Sequence, residues 1–66
     1  MRLVVNGEPR TVPHGSTVQG LTDSLGAARS GVAVALNGEV VARSAWSATP
    51  LHDGDRVEVL GAMQGG

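Results

Sequence analysis

The sequence has no cysteine, no lysine, no phenylalanine and no tyrosine, and Trp46 is its one aromatic residue. The absence of cysteine excludes a disulfide framework, a thiolate metal site and a redox pair. The absence of lysine excludes a Gly-x-x-x-x-Gly-Lys phosphate loop and leaves no side-chain amine that an activated acyl group on the chain could react with. One aromatic residue and a net charge of −1 also disfavour nucleic-acid binding, which relies on base stacking and basic surfaces.

Long apolar runs are missing as well, and we expect no secretory leader. No apolar run is long enough to span a membrane, and the first apolar residues give way to Asn6-Gly7-Glu8 too early for a signal peptide. A chain of 66 residues suffices for one domain but leaves little room for a deep catalytic cavity. Hydrophobic residues make up 41% of it, which favours a folded globule. We therefore expect one cytoplasmic domain.

Side chains suited to chemistry are few and isolated. His14 and His52 have no second ligand at helix or turn spacing, whereas a zinc site needs three or four ligands. Asp53-Gly54-Asp55 lacks the further oxygens of a calcium loop and is typical of a turn. No serine lies in the context of a nucleophile elbow. We therefore expect that the chain binds no metal or cofactor and is not itself an enzyme, but serves other enzymes as a substrate or carrier.

Two hairpins are predicted, each turning at an Asn-Gly pair. Asn6-Gly7 and Asn37-Gly38 both lie between apolar runs, and type I′ turns require φ > 0 at both central residues. The flanking strands are predicted at residues 3–5 and 10–12, and at residues 32–36 and 40–41. Pro9 places the second strand at a sheet edge or begins it, because proline has no N–H to donate. The continuous apolar run at 32–36 indicates a strand covered on both faces, or nearly so.

A helix is predicted between the hairpins. Ser16 and Gln19 match a capping box, and Gly26 has the place of the residue that follows a helix C-cap. The apolar stripe consists of Val18, Leu21 and Leu25. Gly20 lies inside this helix at a cost of about 1 kcal/mol relative to alanine, and close packing on a sheet would explain it.

The last third of the chain leads to a final strand and a tail. Residues 44–50 predict a connection with one helical turn in which Trp46 folds against the sheet, and Asp53-Gly54 predicts a tight turn. Residues 56–60 alternate polar and apolar, as in a strand with one buried face. The order of elements predicts an α+β fold with a mixed sheet of roughly four to five strands and one helix packed across it. We divide it into a domain at 1–60 and a flexible tail at 61–66.

The tail ends in Gly65 and Gly66, which have no Cβ and can enter another protein's active site with little steric hindrance. We expect the reactive group to be the backbone carboxylate of Gly66, once a partner has activated it. The alternative interpretation is a frayed end or a cloning remnant. Exposed apolar groups beside such an end give a partner a surface to bind. The residues predicted for that partner surface are Leu60, Ala62, Met63 and Gln64.

The motifs together resemble one known family. The matching segments are residues 5–8 (Val-Asn-Gly-Glu), 31–41, 43–46 (Arg-Ser-Ala-Trp), 51–60 and 64–66 (Gln-Gly-Gly). They span the chain in order and resemble the ThiS-like sulfur carriers of thiamine biosynthesis, in the ubiquitin-like β-grasp group that also includes MoaD-like proteins. The resemblance implies the β-grasp fold, a monomer, and a functional terminus at Gly65 and Gly66.

The same resemblance implies a reaction cycle carried out by partners. A ThiF-like adenylating enzyme would use ATP to convert the Gly66 carboxylate to an acyl-adenylate. A persulfide sulfur, supplied through a cysteine desulfurase, would displace AMP and leave a thiocarboxylate. A ThiG-like thiazole synthase would then take the sulfur into the thiazole ring. No cofactor would be bound by this chain, and neither nucleic acid nor a membrane would be a partner.

Three alternatives stay open at this point. A molybdopterin-synthase small subunit has the same fold and tail and supplies sulfur to a different acceptor. A β-grasp interaction module with an inert tail would lose nothing when Gly66 is deleted. A ubiquitin-like modifier would join Gly66 to lysines of target proteins.

Overall fold

Strands alternate with one α-helix and one 3-10 helix in the part of the chain that the computed structural model describes, residues 1–27 and 31–61. In chain order the elements are β1 (Arg2–Val5), β2 (Glu8–Thr11), α1 (Val18–Ser24), β3 (Val32–Leu36), β4 (Glu39–Val41), the 3-10 helix (Arg43–Ala48) and β5 (Arg56–Gly61). This arrangement confirms the predicted α+β class, a mixed sheet with an α-helix packed on it.

The sheet has five strands in the order β2-β1-β5-β3-β4, so the last strand of the chain lies at its centre. β5 runs parallel to β1, with Val5 opposite Val57, and antiparallel to β3, with Val34 opposite Val59. The two hairpins, β1-β2 and β3-β4, flank it. A strand in this position has hydrogen-bonding neighbours on both sides wherever β1 and β3 both pair with it, unlike an edge strand.

Both predicted Asn-Gly turns are confirmed by their backbone angles. The φ values are 51° for Asn6 and Asn37, and 82° and 88° for the glycines that follow them. All four residues are left-handed, as a type I′ turn requires. β2 begins at Glu8, directly after the first turn, so Pro9 lies within a fully exposed edge strand. That confirms the edge placement, because an edge strand can lack one N–H donor.

The predicted start of α1 is wrong by one residue. Thr17, not Ser16, is the N-cap: its Oγ1 accepts a hydrogen bond from the Gly20 N–H at 3.2 Å, and its backbone is extended. Ser16 Oγ instead donates to the Pro13 carbonyl at 2.7 Å. The cause is tertiary, since Thr17 forms a β-bridge with Pro50 and the Ser16 carbonyl accepts from the Leu51 N–H. The helix begins where this pairing stops.

The predicted end of α1 is confirmed. Gly26 has φ 70° and follows the C-cap residue Leu25. Its N–H donates to the Asp23 carbonyl at 3.1 Å, and the Ala27 N–H donates to the Thr22 carbonyl at 2.8 Å. These two bonds form a Schellman motif, which satisfies carbonyls that the helix end would otherwise leave unpaired.

The core lies on one face of the sheet, beneath α1 and the 3-10 helix. Its buried members are Leu3, Val5, Val12, Val18, Leu21, Val34, Trp46, Leu51 and Val57. Trp46 is 1% exposed and its Nε1 donates to the Val41 carbonyl at 3.0 Å, which confirms its predicted place against the sheet. The prediction that β3 is covered on both faces is wrong. Val34 is buried but Ala33 is exposed, because the helices pack on one side only.

Candidate functional site

The predicted reactive residues, Gly65 and Gly66, lie outside the described residues, as do Ala62, Met63 and Gln64. The structure describes the strand that leads to them. β5 continues to Gly61, which pairs with Val32 of β3. Gly61 thus belongs to the sheet, although the sequence pattern assigned it to the tail. The site is accordingly the end of β5 and the surfaces that border it.

The two flanks of β5 are supported unequally by strand pairing. On the β3 side, the pairing extends from Leu36 opposite Val57 to Val32 opposite Gly61. On the β1 side, it stops at Val5 opposite Val57, and the Asn6 N–H makes the last backbone bond, to the Val57 carbonyl at 2.9 Å. The chain then turns into the first hairpin. Backbone pairing from β1 therefore runs out before the end of β5.

Beyond that point, the side chain of Asn6 hydrogen-bonds to the backbone of β5. Its Oδ1 accepts a hydrogen bond from the Val59 N–H at 2.8 Å, and its Nδ2 donates to the Val59 carbonyl at 3.2 Å. Both backbone groups of Val59 are therefore bound by one amide. Sequence reasoning assigned Asn6 to the turn alone and missed this role.

Asn37 makes a related contact at the opposite end of β5. Its N–H donates to the Arg56 carbonyl at 2.8 Å, and its Oδ1 accepts from the Arg56 N–H at 2.9 Å. Its Nδ2 donates to Asp55 Oδ1 at 3.0 Å. The repeated Asn-Gly-Glu motif thus binds the first residue of β5 from one hairpin and Val59 from the other. The repetition itself is the one signal in the sequence that pointed to a shared role.

Apolar side chains lie together on the face of the sheet opposite the core, and we call them the outer patch: the exposed Ala33, Val40 and Leu60 and the half-buried Ala35. Leu60 is opposite Ala33, and Val40 is opposite Ala35. Residues opposite each other share a face, and the neighbouring pair Val34 and Val59 packs against the core, so these pairs point away from it. Leu60 is 62% exposed and Val40 80% exposed. Leu60 is thus accessible to a partner, and Val40 adds a residue that the sequence pattern did not single out.

The remaining candidates take part in turns. His14 and His52 are exposed. The Asp55 carboxylate accepts from the His52 N–H at 2.7 Å within the predicted turn. The Asp53 carboxylate accepts from the Arg2 N–H at 2.7 Å and so connects this turn to β1. Within residues 1–27 and 31–61, no group of three or more His, Asp or Glu side chains is placed to hold a metal. The described part of the chain likewise contains no helix that is long and apolar enough to cross a membrane.

Comparison with known proteins gives concordant results. A family model described as the ThiS family matches residues 3–66. The sulfur carrier protein ThiS of Thermus thermophilus is 44% identical over 62 residues, which cover 94% of this chain and 95% of that protein. A crystal structure of the thiamine biosynthesis protein ThiS from Geobacter metallireducens superimposes with a TM-score of 0.84 at 46% identity, covering all of both chains.

A second group of relatives is much longer. A protein named thiazole synthase from Paramagnetospirillum magneticum is 38% identical over 66 residues, which are all of this chain but 20% of that protein. A thiazole synthase of Magnetococcus marinus matches over the same share of its length at 39% identity. This chain therefore spans about one fifth of the thiazole synthases that it matches.

Proposed function

Because this chain belongs to the ThiS family, we propose that it is a sulfur carrier protein of thiamine biosynthesis and that the carboxylate of Gly66 carries the sulfur. The observation that supports this most directly is the match to proteins named as sulfur carriers over nearly their whole length, together with a common fold. The chain itself catalyses nothing in this proposal. It is the substrate that an adenylating enzyme and a sulfur donor act on in the cytoplasm.

The chemistry follows from the weak reactivity of a carboxylate. A ThiF-like partner joins the Gly66 carboxylate to the α-phosphate of ATP and releases pyrophosphate, which leaves an acyl-adenylate. A persulfide supplied through a cysteine desulfurase attacks the acyl carbon and displaces AMP, and a thiol then reduces the sulfur–sulfur bond to leave a thiocarboxylate. Its sulfur is a better nucleophile than the carboxylate oxygen and is available to the next enzyme.

The composition of the chain suits a carrier of an activated acyl group. A thiolate or a neutral amine would attack an acyl-adenylate, and no cysteine or lysine is present in the sequence. An activated Gly66 therefore has no side-chain nucleophile of either kind in its own chain to react with. This favours transfer to an external sulfur over self-linkage.

The outer patch supports a protein partner near the reactive end. Leu60 lies next to the last residue of β5, so a partner that covers it is also close to the segment that continues to Gly66. Exposed apolar side chains that cluster on one face commonly mark protein contacts. We assign this face to the adenylating enzyme or the sulfur acceptor, and we propose that Ala62, Met63 and Gln64 also contact that partner.

The longer relatives support thiazole synthase as the sulfur acceptor. In those proteins, a segment similar to this whole chain is part of a polypeptide that is named thiazole synthase. Placing carrier and acceptor in one polypeptide raises their effective concentration, which is useful when they act in sequence. This observation favours the thiazole pathway over a molybdopterin acceptor for the present chain.

The proposal is tested by the mass of the C-terminus. The carrier is incubated with ATP, a ThiF-like enzyme, a cysteine desulfurase, cysteine and a thiol, and its intact mass is measured. We expect a gain equal to the exchange of one oxygen for sulfur, localised to Gly66 by fragmentation. A chain from which Gly66 has been deleted is the control and should stay unchanged. If only the carboxylate form is found under turnover, the inert interaction module becomes the better explanation; lysine-linked adducts would favour the modifier.

A further inference from the structure

We propose that Asn6 is a positioning residue for the sulfur-carrying end, because its side-chain amide acts as one more peptide unit of β1 and fixes β5 beyond the point where β1 turns away. The inference rests on the proposed function, since it concerns how the segment that ends at Gly66 is presented. It goes beyond the turn-forming role that the sequence assigns to Asn6.

The hydrogen bonds at Asn6 reproduce those of a parallel ladder. In such a ladder, a residue of one strand donates its N–H to one carbonyl of the neighbour and accepts from the N–H two residues further on. Asn6 donates its N–H to the Val57 carbonyl at 2.9 Å, as β1 should. Because its φ is 51°, the backbone then leaves the strand, and Oδ1 accepts the Val59 N–H at 2.8 Å instead. The Nδ2 group also donates to the Val59 carbonyl at 3.2 Å, so the side-chain amide replaces both an acceptor and a donor of the missing β1 backbone.

The position of this contact connects it to function. Val59 precedes Leu60 and Gly61, the last residues of β5, and residues 62–66 continue directly from them. Without the amide, the end of β5 would keep β3 as its neighbour but would have an open edge toward β1. An end that is held on one side can fray and leave the sheet in more than one direction. An end held on both sides frays less, and we infer that this restricts how the segment ending at Gly66 is offered to a partner.

Asn37 provides a matched control for Asn6, because both asparagines lie in turns of the same type. Asn37 has the same φ of 51° and is also followed by glycine, but its Oδ1 binds Arg56, the first residue of β5. Replacing either asparagine by glycine keeps the left-handed turn and removes only the side-chain bonds. Both variants should therefore lose stability, whereas only Asn6→Gly should affect the end of the strand that leads to Gly66.

The first measurement uses hydrogen exchange on the uncharged protein, without any enzyme. We expect the amide proton of Val59 to exchange faster in Asn6→Gly than in the wild type and in Asn37→Gly. Unchanged exchange at Val59 in Asn6→Gly would overturn the proposal. This measurement does not depend on charging, so its outcome is separate from that of the proposed function.

The second measurement is the rate of thiocarboxylate formation, well below the unfolding temperature of each variant. We expect kcat to fall about tenfold in Asn6→Gly, the size of effect that losing one net hydrogen bond has on an equilibrium. KM should change little, because the outer patch is intact, and Asn37→Gly should charge at close to the wild-type rate. Equal charging of Asn6→Gly and the wild type would overturn the role of Asn6 alone, whereas a wild-type chain that is never charged would contradict the proposed function.

A milder variant covers the case in which Asn6→Gly does not fold. Asn6→Asp fits the same turn and keeps an oxygen for the Val59 N–H, but it loses the donor and places an oxygen where Nδ2 lies 3.2 Å from the Val59 carbonyl. We expect its Val59 amide to exchange faster and its kcat to be lower than in the wild type, with Asn37→Asp as the matched control. Wild-type values for both quantities would overturn the proposal.

Discussion

At the scale of single residues, the two glycines of the α1 region have opposite effects on stability. Gly26 ends the helix with φ 70°, a conformation that costs most residues with a Cβ, alanine among them, about 1–2 kcal/mol. Gly20 lies within the helix, is exposed, and would meet only Thr17 Oγ1, at 3.7 Å, if it carried a Cβ. The prediction that close packing explains Gly20 is therefore wrong. No described residue imposes a steric requirement for glycine there.

We predict that Gly20→Ala stabilises the protein by about 0.5–1 kcal/mol, since alanine is the better helix former and contacts nothing closer than ordinary van der Waals distance. Gly26→Ala should destabilise it by about 1–2 kcal/mol, because alanine is strained at positive φ. Urea unfolding followed by Trp46 fluorescence gives both values. A destabilising Gly20→Ala would mean that glycine is required at this position for a contact that the fold does not reveal.

Asn6 illustrates which residue roles a sequence can reveal. Its turn was predictable because type I′ geometry depends on two adjacent residues, Asn6 and Gly7. Its second role was not, because the partner, Val59, is 53 positions away and becomes a neighbour only when β5 inserts beside β1. Asparagine suits both the turn and the bonds to Val59, so the residue type alone does not distinguish the two roles.

At the scale of elements, the start of α1 shows how tertiary pairing overrides a local pattern. Ser16 and Thr17 are both good N-caps, and the glutamine that completes a capping box favoured Ser16. The folded chain uses Thr17, because the segment before the helix pairs with Pro50 and Leu51. The glutamine side chain binds Asp23 instead of the cap. Sequence reasoning thus found the helix, its apolar stripe and its end, but not its first residue.

This assignment of the cap leads to a prediction at the element scale. Thr17→Ala should cost about 1 kcal/mol, since it leaves the Gly20 N–H without its acceptor. Ser16→Ala, which removes an exposed bond to the Pro13 carbonyl, should cost about 0.5 kcal/mol or less. Chemical denaturation of the two variants in parallel measures the difference. The reverse order of stabilities would restore Ser16 as the functional cap.

The burial of β3 likewise could not be predicted from its local sequence pattern. Five apolar residues in a row indicated a strand buried on both faces, but only one layer of helix covers the sheet in the described residues. Alanine at the outward positions, Ala33 and Ala35, keeps the run apolar in the sequence while adding little exposed area. For this reason the sequence predicted only Leu60 of the outer patch, and the exposure of Val40 became visible only from its register opposite Ala35.

At the scale of the whole molecule, the described residues form a body whose last strand leads to the proposed reactive end. The sheet places its last strand at the centre, between β1 and β3, and the two asparagines bind that strand near both ends. The described side chains offer no metal cluster, and the sequence offers no thiol. Reactivity in the proposed function is therefore left to the backbone carboxylate of Gly66, and the body determines how that carboxylate is presented.

The final prediction compares the same substitution, glycine to valine, at the C-terminal end and in the sheet. Gly65→Val should leave the fold unchanged and block charging, because a branched side chain is bulky and resists φ > 0 where the terminus must enter a partner's active site.

Gly61→Val is the matched control. Gly61 lies in β5 opposite Val32, a Cβ there would meet nothing within 4 Å, and β-branched residues suit strands. We expect it to fold at least as stably as the wild type and to be charged. Intact-mass analysis after incubation with ATP and the sulfur-transfer partners reads out both variants, and normal thiocarboxylation of Gly65→Val would show that a slim terminus is not what the partner selects.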